Sequence, residues 1–344
     1  MQNDNPPQKS QPRFRLSWSF VLTIALALVL LYLAFRGVDW GEMLRTVQQG
    51  RLEFLFLGFL AMSASYFLRG LRWRVLLSAE KTLHPVTVFW GTCVGYLGNA
   101  FLPARAGELI RTALISQRSG IAALYVLATA LTERIMDAAL LVLIVVFMLS
   151  TFEGMPEWLI SAQQVMLIIG VGGMIGLLLA YRLKGLILAV VTRLPLPERI
   201  EAKLLEFIEQ FLLGTRAFQN PGRAVSFIAL TAVIWAMDVV VGLQIAQAFG
   251  LEISAAEVLF LLAALGLSSA IPSTPGYVGV YQFVAVTVLE PFGIGQSEAL
   301  VYILAFQAVT YAVVMIWGGL GLWRLNVGIG ERANDPAAVS VSET

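Results

Sequence analysis

Cysteine and histidine are nearly absent: the 344 residues hold one of each, Cys93 and His84. No disulfide framework can close within the chain, and the usual ligands of a zinc or haem site are missing, so no metal or cofactor is expected. Charge is scarce too. At 13% charged residues and a net charge of +1 there is no electrostatic case for a nucleic-acid partner. Neither GxxxxGKS nor GxxxxGKT occurs, so a nucleotide-phosphate loop of that kind is not on offer. Chemistry falls to carboxylates, guanidinium groups, amides and hydroxyls.

What the chain has in quantity is apolar residues, 58% of the total, gathered into long runs. Leu16–Phe35, Leu159–Tyr181 and Ala299–Trp323 carry no charge, and each is long enough to cross a hydrocarbon core of roughly 30 Å. The first run exceeds a signal-peptide core and lacks a small-x-small cleavage site, so it reads as an uncleaved anchor. The expected fold is therefore an all-α integral membrane protein, a polytopic helical bundle.

The positive-inside rule gives the orientation. Lys9, Arg13 and Arg15 place a short cytoplasmic segment at 1–15, before a single transmembrane domain at 16–323. Phe54–Leu68 reads as the second crossing, returning to the cytoplasm at the cluster Arg69, Arg72, Arg74 and Lys81. The stretch 182–223, the most basic of the chain, reads as a cytoplasmic connector. Within it Ile200, Leu204, Ile208 and Phe211 fall on one face of a helix lying on the membrane or on the protein. The polar tail at 324–344 is expected to be cytoplasmic and disordered.

Two segments resist reading as straight crossings. Val86–Ala104 contains Gly91, Gly95, Gly98 and Pro103, and is followed at once by Arg105, Gly107, Glu108 and Arg111. Positive-inside favours a re-entrant hairpin that enters from the cytoplasm, turns near Asn99–Pro103 and returns as a helix. The uncharged run between Glu257 and Glu290 is broken at Pro272, Pro275, Gly276 and Gly279, and reads as a second hairpin entering from outside. Half-repeats at about 54–150 and 224–323 would then have inverted topology, the pattern that points to a transporter's midplane site. The competing reading is kinks in ordinary spans.

Embedded charge marks the candidate site. A charge at the bilayer centre costs roughly 2.5–3.5 kcal/mol on insertion scales, so Glu133, Arg134, Asp137 and Asp238 need partners or a cavity. Arg134 can reach Asp137 three residues on, either as a structural ion pair or as part of a site. Asp238 has no basic residue within a turn and needs a partner from another helix, water or a proton. Arg105, Glu108 and Arg111 share one side of the returning helix and could hold a phosphate, or could simply be cytoplasmic residues touching headgroups. Asn99 at the first turn is a further candidate contact, and near the second break Ser273, Thr274, Tyr277, Tyr281 and Gln282 supply hydrogen-bonding groups that could contact substrate or satisfy backbone groups freed at the break.

GYLGNAFLPARAGELIR (Gly95–Arg111) and IPSTPGYVGVYQF (Ile271–Phe283) resemble the two signature stretches of the lysylphosphatidylglycerol synthetase transmembrane family, the flippase-like membrane proteins. That resemblance implies a multi-pass protein of a bacterial-type plasma membrane. The family is best known as the lipid-translocating part of the multiple peptide resistance factor, where a soluble domain makes the aminoacylated lipid. Here the chain ends soon after Trp323, so that synthase domain, and with it enzymatic activity, is not expected. The expected function is translocation of a polar, anionic or aminoacylated phospholipid or lipid-linked precursor, with a separate lipid- or glycan-modifying enzyme as a possible partner. An intramembrane enzyme and a non-transporting scaffold are the alternatives.

Overall fold

The computed structural model describes residues 18–102, 106–150, 157–194, 197–269 and 275–325. Regular structure among them is helical throughout: α1 (Trp18–Phe35), α2 (Trp40–Gln48), α3 (Leu52–Leu77), α4 (Pro85–Phe101), α5 (Gly107–Ser119), α6 (Ala123–Leu149), α7 (Glu157–Leu179), α8 (Lys184–Val191), α9 (Glu198–Gly214), α10 (Pro221–Ala248), α11 (Ala255–Ser268), α12 (Val280–Leu289) and α13 (Gln296–Arg324). The boundaries follow local chemistry. Asn220 accepts from the Arg223 N–H ahead of α10, with Pro221 in the first turn, and Ser254 and Glu257 cap α11 reciprocally.

By length and composition α3, α10 and α13 can each cross a membrane, and α7 with α8 forms a further apolar pair bent by 105°. α6 is long enough, at 27 residues, but carries Glu133, Arg134 and Asp137 mid-helix. The expected end of the second crossing at Leu68 is corrected here. α3 runs unbroken to Leu77 and buries Arg72 in the protein interior, because the anions that compensate its arginines sit on α6 and α10. A charge-counting rule cannot see those partners.

α3 and α10 lie antiparallel along their whole lengths. The Arg51 N–H meets the Ala248 carbonyl at 2.8 Å, Ser65 meets Asp238, Arg72 meets Thr231, and Arg223 reaches the Ser78 carbonyl at 3.0 Å. α4 and α5 form a second antiparallel pair, since a Cβ at Gly98, Gly95 or Gly91 would meet Gly107, Arg111 or Ile115 in turn. At Gly107 the approach is so close that a Cβ would overlap the Gly95 carbonyl. α4 offers another face to α13, where Gly318 and Gly321 sit against Cys93, Leu97, Trp90 and Val94.

α11 and α12 pack on each other, and Phe260 meets Phe292 edge-on beyond the end of α12. Between them the chain turns at Gly276 (φ 73°), Tyr277 (φ 58°) and Gly279 (φ 88°), with Pro275–Tyr277 in a 3₁₀ turn. Around these pairs α4 packs on α13 and α11 on α6, α5 on α6 and α12 on α13, α3 on α6 and α10 on α13. The connector helix α9 rests on α6, where Gly214 touches Ala128. Its Leu204, Ile208 and Phe211 are half-buried as expected, but Ile200 is exposed.

Candidate functional site

A cavity of about 350 Å³ opens where the α4–α5 and α11–α12 pairs approach the central helices. The first pair contributes Asn99 and Glu108, the second Tyr277 and Tyr281; α3 adds Tyr66 and Arg69, α6 adds Arg134 and Asp137, and α10 adds Trp235 and Asp238. Such a space in an apolar bundle is of the size that holds small polar molecules, roughly 300–1,000 Å³.

Behind and along its wall run a six-residue charge network and a separate ion pair. Arg72, with its side chain fully buried, donates to Glu133 Oε1 at 2.8 Å and to both oxygens of Asp137 at 2.6 and 2.9 Å. Arg111 lies 3.0 Å from the other Glu133 oxygen and 2.6 Å from Glu108 Oε2. Arg134 stands 3.2 Å from Glu108 Oε1, and Asn99 donates to that same oxygen at 3.3 Å. On α10, Asp238 is held by Arg69 and accepts from the Ser65 hydroxyl at 2.6 Å. Among the described residues the arginines Arg69, Arg72, Arg111 and Arg134 thus balance Glu108, Glu133, Asp137 and Asp238 in number. Charge-neutral, closely paired groups make buried charge tolerable in a bundle of this kind.

The network has two tiers. Arg72, Arg111 and Glu133 are sealed, with side chains 0%, 2% and 1% exposed. Arg69, Glu108, Arg134, Asp137 and Asp238 face the cavity. Aromatic rings support the cations: Arg111 lies over Trp73, Arg72 over Phe227, and both Arg69 and Arg134 reach the same Tyr96 ring, at 5.9 and 5.6 Å from its centroid. The buried Nε atoms of Arg69 and Arg134 have no hydrogen-bond partner of good geometry.

Several of the residues singled out by sequence fall elsewhere than expected. Arg134 is 3.8 Å from Asp137, and the tight partner of Asp137 is Arg72, whose planar fork takes both carboxylate oxygens. Asp238 does draw its partner from another helix, Arg69. Arg111 is enclosed by Glu108, Glu133 and Trp73 and is not on the cavity wall. Gln282 is buried off the cavity; it accepts from the Gly279 N–H at 2.7 Å and donates to Gln307, which with Tyr311 donates to the Gly276 carbonyl. These bonds satisfy the backbone freed at the second break. Pro103, Arg105, Pro272, Ser273 and Thr274 lie outside the described residues.

Arg69, Arg72, Tyr66, Tyr96 and Trp235 were absent from the sequence-derived site. The only available signal was an arginine three residues after another in a helix that could have continued. Against this geometry stands a comparison of the chain with known families: the lysylphosphatidylglycerol synthase transmembrane region matches residues 20–318. The chain belongs to that family. Members of the lysylphosphatidylglycerol synthase transmembrane-region family are membrane proteins, in accord with the apolar helices here. A protein of Haloferax volcanii described as glycosyltransferase AglD is 25% identical over 351 residues, covering 92% of this chain and 55% of the relative. The chain therefore spans about half the length of that curated relative. No solved structure matches.

Proposed function

We propose that the chain moves a phosphate-bearing polar lipid between the leaflets of a plasma membrane, its headgroup passing through the cavity while the acyl chains stay in hydrocarbon. One observation carries this reading: a charge-balanced cavity bounded by both broken helix pairs, on whose wall stand the guanidinium groups of Arg69 and Arg134, with side chains 18% and 26% exposed. Guanidinium donors in a partly dry site favour an oxyanion, and both groups lie within 6 Å of the centre of one ring, Tyr96.

The helix packing fits an inverted repeat, which would favour the transport reading. α3, α4–α5 and α6 would correspond to α10, α11–α12 and α13; the antiparallel α3–α10 pair is what a two-fold axis in the membrane plane produces, and the exchanged contacts α4–α13 and α11–α6 follow the same operation. Both breaks also share a Pro-x-x-x-Gly spacing, Pro103 to Gly107 and Pro275 to Gly279, ahead of the returning helices α5 and α12. In this reading the hairpins enter from opposite faces and both chain termini face the cytoplasm.

The name of the Haloferax relative brings in a catalytic reading, or a partnership with a lipid- or glycan-modifying enzyme. Against direct catalysis, both oxygens of each cavity-facing carboxylate already have partners, which leaves no free acid–base pair. The test is translocation of headgroup-labelled phosphatidylglycerol in liposomes containing the purified protein, read by quenching from outside, with the lipid's mass measured afterwards. Accelerated loss of protected signal at unchanged mass supports translocation. A changed mass favours the enzyme, and no acceleration for any phospholipid or lipid-linked precursor would overturn the proposal.

A further inference from the structure

We infer that the headgroup taken by this cavity is an uncharged polyol or sugar on a lipid phosphate, rather than a cationic, aminoacylated one; this rests on the reading of the cavity as the headgroup site. The first ground is charge. Both oxygens of Glu108, Glu133, Asp137 and Asp238 lie against an arginine or a serine of the protein itself. A bound ammonium would have to take a carboxylate from its guanidinium and leave that arginine buried and unpaired, the costly way to break a buried ion pair. The cavity holds no surplus anion for it.

The second ground is the chemistry of the wall. The guanidinium groups of Arg69 and Arg134, with side chains 18% and 26% exposed, face the cavity and can take a phosphate. Other polar side chains on the wall, among them Asn99, Tyr281, Gln307 and Thr310, are neutral and suit hydroxyl groups, which bring a proton without a charge. The third ground is shape. Tyr277 lies flat on Tyr281, ring centroids 4.8 Å apart at 8°, and Trp235 lines the same space, so the wall offers aromatic surface to the C–H face of a ring. The volume of about 350 Å³ has room for a phosphate carrying a sugar-sized unit.

Binding of farnesyl phosphoglucose, farnesyl phosphate and lysyl-phosphatidylglycerol to the full chain in detergent tests this directly, with the same headgroups then carried into the liposome assay. Farnesyl phosphoglucose is expected to bind at least tenfold tighter than lysyl-phosphatidylglycerol. Tyr277→Ala is expected to weaken farnesyl phosphoglucose at least fivefold more than farnesyl phosphate. Equal or tighter binding of the lysyl lipid by the wild-type chain overturns the inference, whatever the variants do. Discrimination in binding without movement in liposomes would sink translocation and keep the ligand class, whereas movement of every lipid at one rate with equal affinities would do the reverse.

Discussion

Arg72 Nη2 sits 2.8 Å from Glu133 Oε1, and the two side chains are 0% and 1% exposed. Glu133 shares its second oxygen with Arg111, so it is the anion that two buried arginines hold in common. Removing one partner of such a pair costs about 3–5 kcal/mol, because the other charge stays buried without compensation. Arg72→Met is therefore expected to lose most of that stability in equilibrium unfolding of the detergent-solubilised protein. Glu133→Gln should be similarly damaging, and the double variant less so than the sum of the two. Wild-type stability for Arg72→Met would show that the network does not hold the bundle together.

The two tiers separate folding from transport. Arg134→Gln removes a cavity-facing guanidinium, 26% exposed, that lies 3.2 Å from Glu108 and donates to Tyr96 at 3.1 Å, so its abundance should fall less than that of Arg72→Met while lipid translocation falls about tenfold or more. Arg69→Lys should retain part of the rate, since an ammonium replaces the charge but not the fork. Arg111, which the sequence put forward as a phosphate holder, is instead expected to behave like Arg72: Arg111→Ala should reduce abundance along with transport, as it uncovers Glu108 and Glu133 together. Quantified membrane extracts beside translocation rates distinguish the two classes. Intact abundance with abolished transport for Arg111→Ala would return that residue to the site.

The contrast shows what sequence could carry. The breaks near Gly98–Gly107 and Pro275–Gly279 were legible because glycine and proline act on their own backbone. α4 ends at Phe101 and α12 begins just after Gly279. Glu133, Arg134 and Asp137 were legible as embedded charge, since the run around them is apolar. Their partners were not. Arg72 is 61 residues from Glu133 and Arg69 is 169 from Asp238, and nothing local encodes either pairing. Spacing along α6 allowed Arg134 to reach Asp137, but an arginine from α3 with better geometry takes that carboxylate. The positive-inside rule then sent Arg69 and Arg72 to the cytoplasm, because buried and exposed arginines weigh the same in a count.

Close packing at the first helix pair gives a prediction independent of charge. A methyl group at Gly107 would meet the Gly95 carbonyl, the Asn99 N–H and Asn99 Oδ1, two of them backbone. Gly107→Ala is expected to force α4 and α5 apart, with a loss of about 1–3 kcal/mol or more seen as a lower melting temperature. At Gly176 on α7 an added methyl would find no atom within 4 Å, so Gly176→Ala should be neutral or slightly stabilising through helix propensity. If both substitutions shift melting equally, the tight α4–α5 approach is not what holds that pair.

Entry of the two helix pairs from opposite faces, which the proposed inverted repeat requires, is tested by a membrane experiment. Cys93 is buried and is the single cysteine, so Cys93→Ser yields a blank background in which Asn99→Cys and Ser273→Cys report one site each. Membrane-impermeant maleimide should reach Asn99→Cys from the cytoplasmic side, in inside-out vesicles, and Ser273→Cys from the outside, in intact cells, because each tip opens toward the face its hairpin enters. The rates should be slow next to a loop cysteine, since Asn99 is half-buried and bonded to Glu108. Fast labelling of either position from the face opposite its proposed entry would mean that the segment crosses completely. The relation between α3 and α10 would then be a packing arrangement without a repeat behind it.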